Sequence, residues 1–453
     1  MRFLLLLFLT SGLLLSGCAT HMQSMGSVRY PLYAGDVPRA VQNFEAKKAK
    51  DGDLLWLLEK AHLLHLDGRF KESNVLFERA ERKADELYTK SLSKAALSLI
   101  TSDKVLPYSS PLFEMSLIPY YRALNYRNLG LPDEALVEAR KSDFSISRYT
   151  EKSDGRNGPP AAFLTYLTGL LYASAGQWDN ALISFRNSYR RYSRMKEGPP
   201  ATLAADYYLA AKRAGATGEV KDLAAKDAAL PARADAEAKR NVILFVETGF
   251  VPYKSEVTIT LPLLEVKHGE SSDSLARRYV DTFSGTLFSY RHTEVTLKQV
   301  LQFAFPVMED FPLRSGSCEA GPADGTLRST QTLLDLAPVA HDEFGRGIPG
   351  MLLKTVARAV AKELTRHQAR KQGGDLVGWA VNLLNITTEQ ADTRSWFLLP
   401  RRIGLVKLTV PEGRPQTLVV RSLSERGFVV EEKVLPVTVK AGETKWLSVR
   451  FYQ

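Results

Sequence analysis

Three glycines constrain the first half of this chain more than any other feature. Gly68, Gly130 and Gly176 each follow a small residue by seven positions (Ala61, Ala123, Gly169) and a larger one by four (Leu64, Tyr126, Tyr172). Each also precedes another small residue by five (Ser73, Ala135, Ala181). At about 3.6 residues per turn, the positions seven and four before the glycine share one helix face. The glycine supplies the left-handed conformation that ends a helix. Small residues on both sides let two antiparallel helices cross closely, and the larger residue fills the space beside the crossing. Each stretch is therefore expected to be a helical hairpin. Few β-branched runs interrupt Asp36–Ala229, and a further first helix is expected over Ala201–Ala214.

This pattern resembles the tetratricopeptide repeat (TPR) over roughly residues 36–230, and the third copy matches best. The turn glycines are 62 and 46 residues apart (130 − 68 and 176 − 130), not the usual ~34. Segments such as Lys104–Pro107 and Asp154–Pro160 then read as insertions or degenerate half-repeats. The resemblance implies a repeat groove for a protein or peptide partner and supplies no catalytic group. Lys221–Arg240 is rich in Ala, Lys and Asp, contains Pro231, and reads as a linker or exposed helix at a domain boundary.

From residue 241 the pattern changes. Asn241–Val246 is a β-branched apolar run and reads as a buried strand, whereas Glu256–Pro262 alternates and reads as a half-buried one. Further strands are expected at Gln302–Val307, Leu405–Val410, Gln416–Val420, Gly427–Val434 and Thr444–Tyr452. Short strands between turns suggest a β-sandwich-like domain over 241–453. Two helices, Ile348–Arg370 and Asp375–Glu389, form a helical insertion at about 348–389. The fold class is α+β: an N-terminal all-α array of TPR-like helical hairpins, then the strand-rich domain. On the longer insertion helix Lys354, Arg358, Lys362, Arg366 and Arg370 form an i, i+4 series away from Leu352, Leu353, Val356, Val360 and Leu364. That stripe reads as a solvated face, or else as a contact for lipid phosphates or an acidic partner.

Met1-Arg2 and the apolar run Phe3–Leu15 are too short to cross a membrane but suit a secretory signal. The run ends in Leu15-Ser16-Gly17-Cys18, which resembles a bacterial lipobox. The resemblance implies cleavage before Cys18, a diacylglyceryl thioether on its sulfur and acylation of its amine. Residues 1–17 are then the signal peptide and 18–35 a lipidated tether. Three acyl chains exceed what stable anchoring needs. Ala19, in place of Asp, implies the outer membrane by resemblance to Gram-negative sorting rules, with the protein facing the periplasm. Cys318 would be the one remaining thiol, expected to be a small buried or loop residue.

Composition excludes several classes. The 453 residues carry 60 Lys+Arg against 50 Asp+Glu, a net charge of +10, and are 45% hydrophobic. These are values of a globular chain, not of a disordered, collagen-like or polytopic membrane protein. The excess charge fits weak attraction to anionic surfaces and does not indicate nucleic acid. Gly345–Gly350 spells G-x-G-x-x-G, but Ala340–Phe344 is poor strand material and Pro349 removes an amide donor, so a turn and helix start is expected there. His62 and His65 are three apart without a metalloprotease glutamate between them and are expected on the repeat surface. His341-Asp342-Glu343 has no companion cluster. No catalytic residue, metal ligand or cofactor is assigned.

One segment is more distinctive. In Ala391–Pro400, Asp392 can pair with Arg394, Trp396 can anchor and Pro400 can stop the run. With Val246–Pro252 and Tyr120–Tyr126, it resembles a family of bacterial envelope lipoproteins with N-terminal repeats and a strand-rich C-terminal domain. Arg394 and Trp396 are binding candidates, although a fold-stabilising corner is the favoured reading. The expectation is a non-enzymatic, outer-membrane-anchored scaffold or assembly factor for an envelope machine serving secretion, pilus or cell-wall synthesis. The rivals are a cell-wall or surface-polymer hydrolase or transferase, and a module binding anionic lipid or polysaccharide.

Overall fold

The computed structural model describes residues 20–47, 53–94, 106–152, 158–266, 295–355 and 391–453. The signal peptide, Cys18, most of the helical insertion and parts of both expected inter-hairpin insertions lie outside them.

The helical half is built from pairs. Helices α2 (Gly26–Tyr33) and α3 (Val37–Glu45) flank Gly35, and α4 (Leu54–Leu66) and α5 (Phe70–Lys94) flank Gly68. Helices α7 (Ile118–Asn128) and α8 (Pro132–Lys152) flank Gly130, α9 (Pro159–Ser174) and α10 (Trp178–Tyr192) flank Gly176, and α11 (Ala201–Arg213) and α12 (Thr217–Lys226) flank Gly215. Three short helices, α1 (His21–Ser24), α6 (Leu112–Ser116) and α13 (Leu230–Glu237), complete the described set before the strands. All five glycines have φ between 71 and 75°. In each turn the next backbone N–H donates at 2.9 Å to the carbonyl four residues before the glycine: Asp36 to Pro31, Arg69 to Leu64, Leu131 to Tyr126, Gln177 to Tyr172 and Ala216 to Ala211. This is the glycine-capped helix end in which orphan carbonyls are satisfied by the turn.

The small positions lie at the crossings. Ser73 Oγ donates to the Ala61 carbonyl at 2.7 Å. A Cβ placed on Gly169 would lie 2.4 Å from the Phe185 ring.

The array begins earlier than expected. Residues 18–35 read as a tether, yet Met22, Met25, Val28 and Leu32 are buried. Their helical spacing buries an apolar stripe, and only Ala19 separates the expected acylation site, Cys18, from Thr20, which caps the first described helix. Lys221–Arg240 is also packed: Leu223, Leu230 and Ala234 are buried.

Ten strands follow among the described residues: β1 (Val242–Thr248), β2 (Tyr253–Val266), β3 (Val295–Glu309), β4 (Ser317–Pro322), β5 (Arg328–Ser329), β6 (Gln331–Asp335), β7 (Arg402–Leu408), β8 (Gln416–Leu423), β9 (Val429–Val437) and β10 (Lys445–Phe451). One sheet has the order β10-β1-β7-β6, with β1 parallel to β10 and antiparallel to β7. A second has the order β5-β4-β8-β9, and β2 and β3 form a separate ribbon. The two four-stranded sheets share a core that includes Val242, Leu244, Val406, Cys318, Leu418, Val420 and Phe451. Ile243, Phe245, Leu405 and Trp446, from the first sheet, join the core of the helices. The first sheet is thus the middle of three layers, and every residue of β1 is buried. A strand covered on both faces reads as a continuous apolar run.

Strands β4, β5 and β6 escape the sequence pattern because they are short and interrupted by Gly, Pro and Ser. The helix after β6 runs from 336 to 355, the last residue described before 391, so it starts twelve residues before Ile348 (348 − 336). Gly345–Gly350 therefore lies inside a helix and not at a turn. Leu336, Ala337, Val339 and Ala340 are buried at helical spacing, and their packing outweighs the glycines' weak propensity.

Candidate functional site

The face made by the first helices is closed. In α4, Leu54, Leu55 and Leu57–His65 are buried, as are Ile118–Asn125 in α7 and Pro160–Leu171 in α9. The rings of Tyr120 and Phe163 meet Phe245 of β1 at centroid distances of 5.5 and 6.5 Å. Trp396, fully buried, lies 5.9 Å from Phe77, 6.1 Å from Tyr121 and 5.6 Å from His62. The expected repeat groove is filled here by the chain's own sheet and its 391–400 segment. A helix as apolar all round as α9 has to be covered on both sides.

Charged groups stitch this seam. Glu247 on β1 accepts from Tyr120 Oη at 3.0 Å and pairs with Arg450 Nη1 at 3.3 Å. Arg450 also donates to the carbonyls of Leu398, at 3.1 Å, and Gly249. Lys407 on β7 pairs with Asp206 of α11 at 2.5 Å, and Tyr166 Oη donates to Asp206 at 2.7 Å. Glu114 accepts from Tyr108 Oη at 2.6 Å, Ser110 Oγ at 2.7 Å and the Trp396 N–H at 3.1 Å. Burial pushes the Glu114 carboxyl up, and burial with a neighbouring carboxylate pushes Tyr120 and Tyr166 well up. These carboxylates hold the two halves together, which is the work that burial and matched donors suit them for.

The residues singled out by sequence separate accordingly. Arg394 pairs with Asp392 at 2.8 Å, donates to the Leu106 carbonyl at 2.9 Å and lies 5.7 Å from the Tyr108 ring centre. Burial opposes ionisation of Asp392, but the Arg394 guanidinium holds its carboxyl below the usual range. Arg394 and Trp396 therefore belong to a corner that joins the halves, and Trp396 offers no surface to a partner. Lys354 is exposed at the end of the described helix. Arg358, Lys362, Arg366 and Arg370 lie outside the described residues, as does Cys18.

His62 and His65 are not on the repeat surface; both are buried. His65 Nδ1 is 2.6 Å from Asn125 Oδ1, while neither ring nitrogen of His62 has a hydrogen-bond partner among the described residues. Burial drives His62 well below the ordinary histidine range, with Arg450 and His65 adding to the effect. His341 faces Asp310 at 3.1 Å, and Glu343 accepts from the backbone N–H of Leu112 at 2.8 Å, so these neighbours in sequence serve different contacts. Among the described residues no group of three or more His, Cys, Asp or Glu could hold a metal ion. Cys318 is buried, 3.6 Å from Ser315 Oγ, and burial pushes its thiol up.

What the sequence reading missed lies on the second helices. Val75, Val137 and Ile183 each follow their turn glycine by seven positions, and they are 53%, 42% and 51% exposed. Single exposed apolar residues are ordinary. The same exposed position filled by Val, Val and Ile in three hairpins is a pattern that the glycine frame could have revealed.

No protein-family model and no curated protein matches the chain. Among solved structures it is similar to BtubC (BKLC) from P. vanneervenii, with 17% identity over 47% of this chain and 76% of that one and a TM-score of 0.30. It is also similar to the kinesin light chain TPR-like repeats of Podosopora anserina, with 15% identity over 46% of this chain and 94% of that one and a TM-score of 0.32. The repeat character of the helical half rests on its own five glycine-closed hairpins.

Proposed function

We propose that the protein is a lipid-anchored periplasmic scaffold that binds an envelope protein through the outer face of its second helices. The observation that carries this reading is the repeated exposure of Val75, Val137 and Ile183 at one position of three hairpins. Burying three such side chains, at roughly 25 cal/mol per Å² of apolar surface, favours a partner that lies along the array. Anchoring follows from the lipobox at Leu15–Cys18, and the outer membrane from Ala19. The partner belongs to a machine for secretion, pilus assembly or cell-wall synthesis, by analogy with other repeat-bearing lipoproteins. The protein acts without catalysis of its own.

Crosslinked envelopes provide the test. Val75→Arg combined with Ile183→Arg should abolish a partner band that the wild type yields reproducibly, with thermal stability unchanged. Identical crosslinked sets from wild type and variant would overturn the proposed face. Separately, the mass of the native N-terminal peptide should show acylated Cys18; an unmodified cysteine would remove the anchor.

A further inference from the structure

The apolar ladder on the second helices has a charged border. Helix α5 packs on α7 and helix α8 on α9, so the hairpins that carry Val75, Val137 and Ile183 follow one another along the array. Arg79, Arg140 and Arg190 come four, three and seven residues after those side chains, and all three are exposed. At about 100° per residue, these offsets turn the arginines by about 40°, 60° and 20° from the ladder direction. At about 1.5 Å per residue, they set them about 5–10 Å further toward the C-terminal ends of their helices. Each second helix thus presents an apolar residue and then a cation on one outward face.

Neighbouring cations on the same helices are neutralised within the chain. Arg82 pairs with Glu78, Lys141 with Glu81 and Glu138 at 3.3 and 3.4 Å, and Arg186 with Glu219. Arg79, Arg140 and Arg190 make no ion pair or side-chain hydrogen bond among the described residues. The helix macrodipole favours cations in a last turn, which is where Arg190 sits. It does not account for the other two: Arg79 stands 15 residues before the end of α5 (94 − 79) and Arg140 12 before the end of α8 (152 − 140). The opposite border is acidic. Asp133 and Glu134 open α8 and Asp179 opens α10, a placement that the macrodipole does favour.

We propose that the occupant of this face is an amphipathic segment of another protein, whose apolar side chains cover Val75, Val137 and Ile183 and whose acidic flank lies over Arg79, Arg140 and Arg190. This rests on the ladder being a docking face, as proposed above, and adds the charge and the direction of the partner. A guanidinium without an intrachain carboxylate has no pair to break on binding. An incoming carboxylate therefore gains the charge-assisted hydrogen bonds that the arginine fork suits. A basic flank in the same place would set like charges side by side, so the border selects among partners more than it adds affinity. Asp133, Glu134 and Asp179 act in the same sense, because they repel an acidic flank laid the other way round.

The test places a photoreactive benzophenone amino acid at Val137 in the full-length chain, in the cells that make it, and sequences the joined peptide by mass spectrometry. The expected peptide comes from another protein, with apolar residues and an acidic flank. Arg79→Glu, Arg140→Glu and Arg190→Glu together should lower the crosslink yield about tenfold, the order for three exposed ion pairs. Lysine at the same three positions should keep the yield within about threefold. The melting temperature of the glutamate triple variant should match the wild type, because the three side chains are exposed and unpaired. A neutral or basic peptide, or an unchanged yield in the glutamate variant, overturns the acidic partner and leaves the ladder as a docking face. A peptide from a second copy of this chain overturns the separate partner. A glutamate variant that unfolds would show that the arginines serve this chain's own fold, which overturns the proposal as well. No crosslink at position 137 overturns the docking face itself.

Discussion

The two helices of a single hairpin have opposite relations to water. Helix α9 is buried without a break from Pro160 to Leu171. Its partner α10 buries Ala181, Leu182, Phe185 and Ser188 and leaves Ile183 half exposed. The first helices lie between the second helices and the β10-β1-β7-β6 sheet, so they form a middle layer, as β1 does. The second helices are an outer layer. Repeat hairpins alone would leave an open face on the first helices; here that face became the core of a larger body, and recognition is left to the outside.

The sharpest way to break this contrast is to remove one charge from the seam. Lys407→Met leaves the buried Asp206 carboxylate without its cation, and should cost ~3–5 kcal/mol in chemical denaturation. Adding Asp206→Asn should return much of that loss. A cost below ~1 kcal/mol would mean that the seam is wet and the middle layer only nominal.

Next in size is the crossing inside a hairpin. Gly169→Ala sets a methyl group 2.4 Å from the Phe185 ring, and overpacking of that kind costs ~1–3 kcal/mol. Phe185→Leu should rescue the double variant relative to Gly169→Ala. If Gly169→Ala is neutral, α9 and α10 do not cross as closely as α9's two-sided burial requires.

That crossing was legible in the sequence because Gly169, Gly176 and Ala181 keep their offsets. The hairpin at Gly35 was not. Seven before it stands Val28, and the offsets around Gly215 are Tyr208 and Val220. At these positions only Ala40, five after Gly35, is small, so the small-residue signal fades in the end hairpins while the turn hydrogen bond stays the same. The continuous apolar run of α9 does signal two-sided burial, but offsets from a glycine report on only one face. Trp396 shows the same limit: a corner and a hot spot call for the same residues, and only the position of Glu114 and Phe77, far away in sequence, separates them. The exposed apolar ladder follows a rule of spacing that could be read.

A third variant uses pH to probe the middle layer. Burial holds His62 and His65 below the ordinary value of 6.5. The unfolded chain therefore takes up protons where the folded chain does not. Their contribution to stability is complete above about 6.5 and is lost as pH falls below it. His21 acts in the opposite direction. Burial opposes its charge, but Glu59 at 2.9 Å raises it overall, so its contribution is complete below 6.5 and fades as pH rises through the folded value. His62→Phe isolates the buried ring, whose nitrogens have no hydrogen-bond partner among the described residues. Between pH 7.5 and 5.5 the wild type should lose up to ~1.4 kcal/mol per unit more than the variant. Parallel stability curves would show that His62 is hydrated and that the seam admits water.

The smallest effect belongs to the outer layer. Ile183→Gln should change stability by no more than ~0.5 kcal/mol, as surface substitutions do, because α10 keeps Ala181 and Phe185 on the buried side. The same change should weaken crosslinking to the envelope partner by several-fold. A destabilisation as large as that of Gly169→Ala would place Ile183 in a packed interface of this chain itself. The second helices would then be a middle layer too, and the face left for recognition would have to lie elsewhere on the molecule.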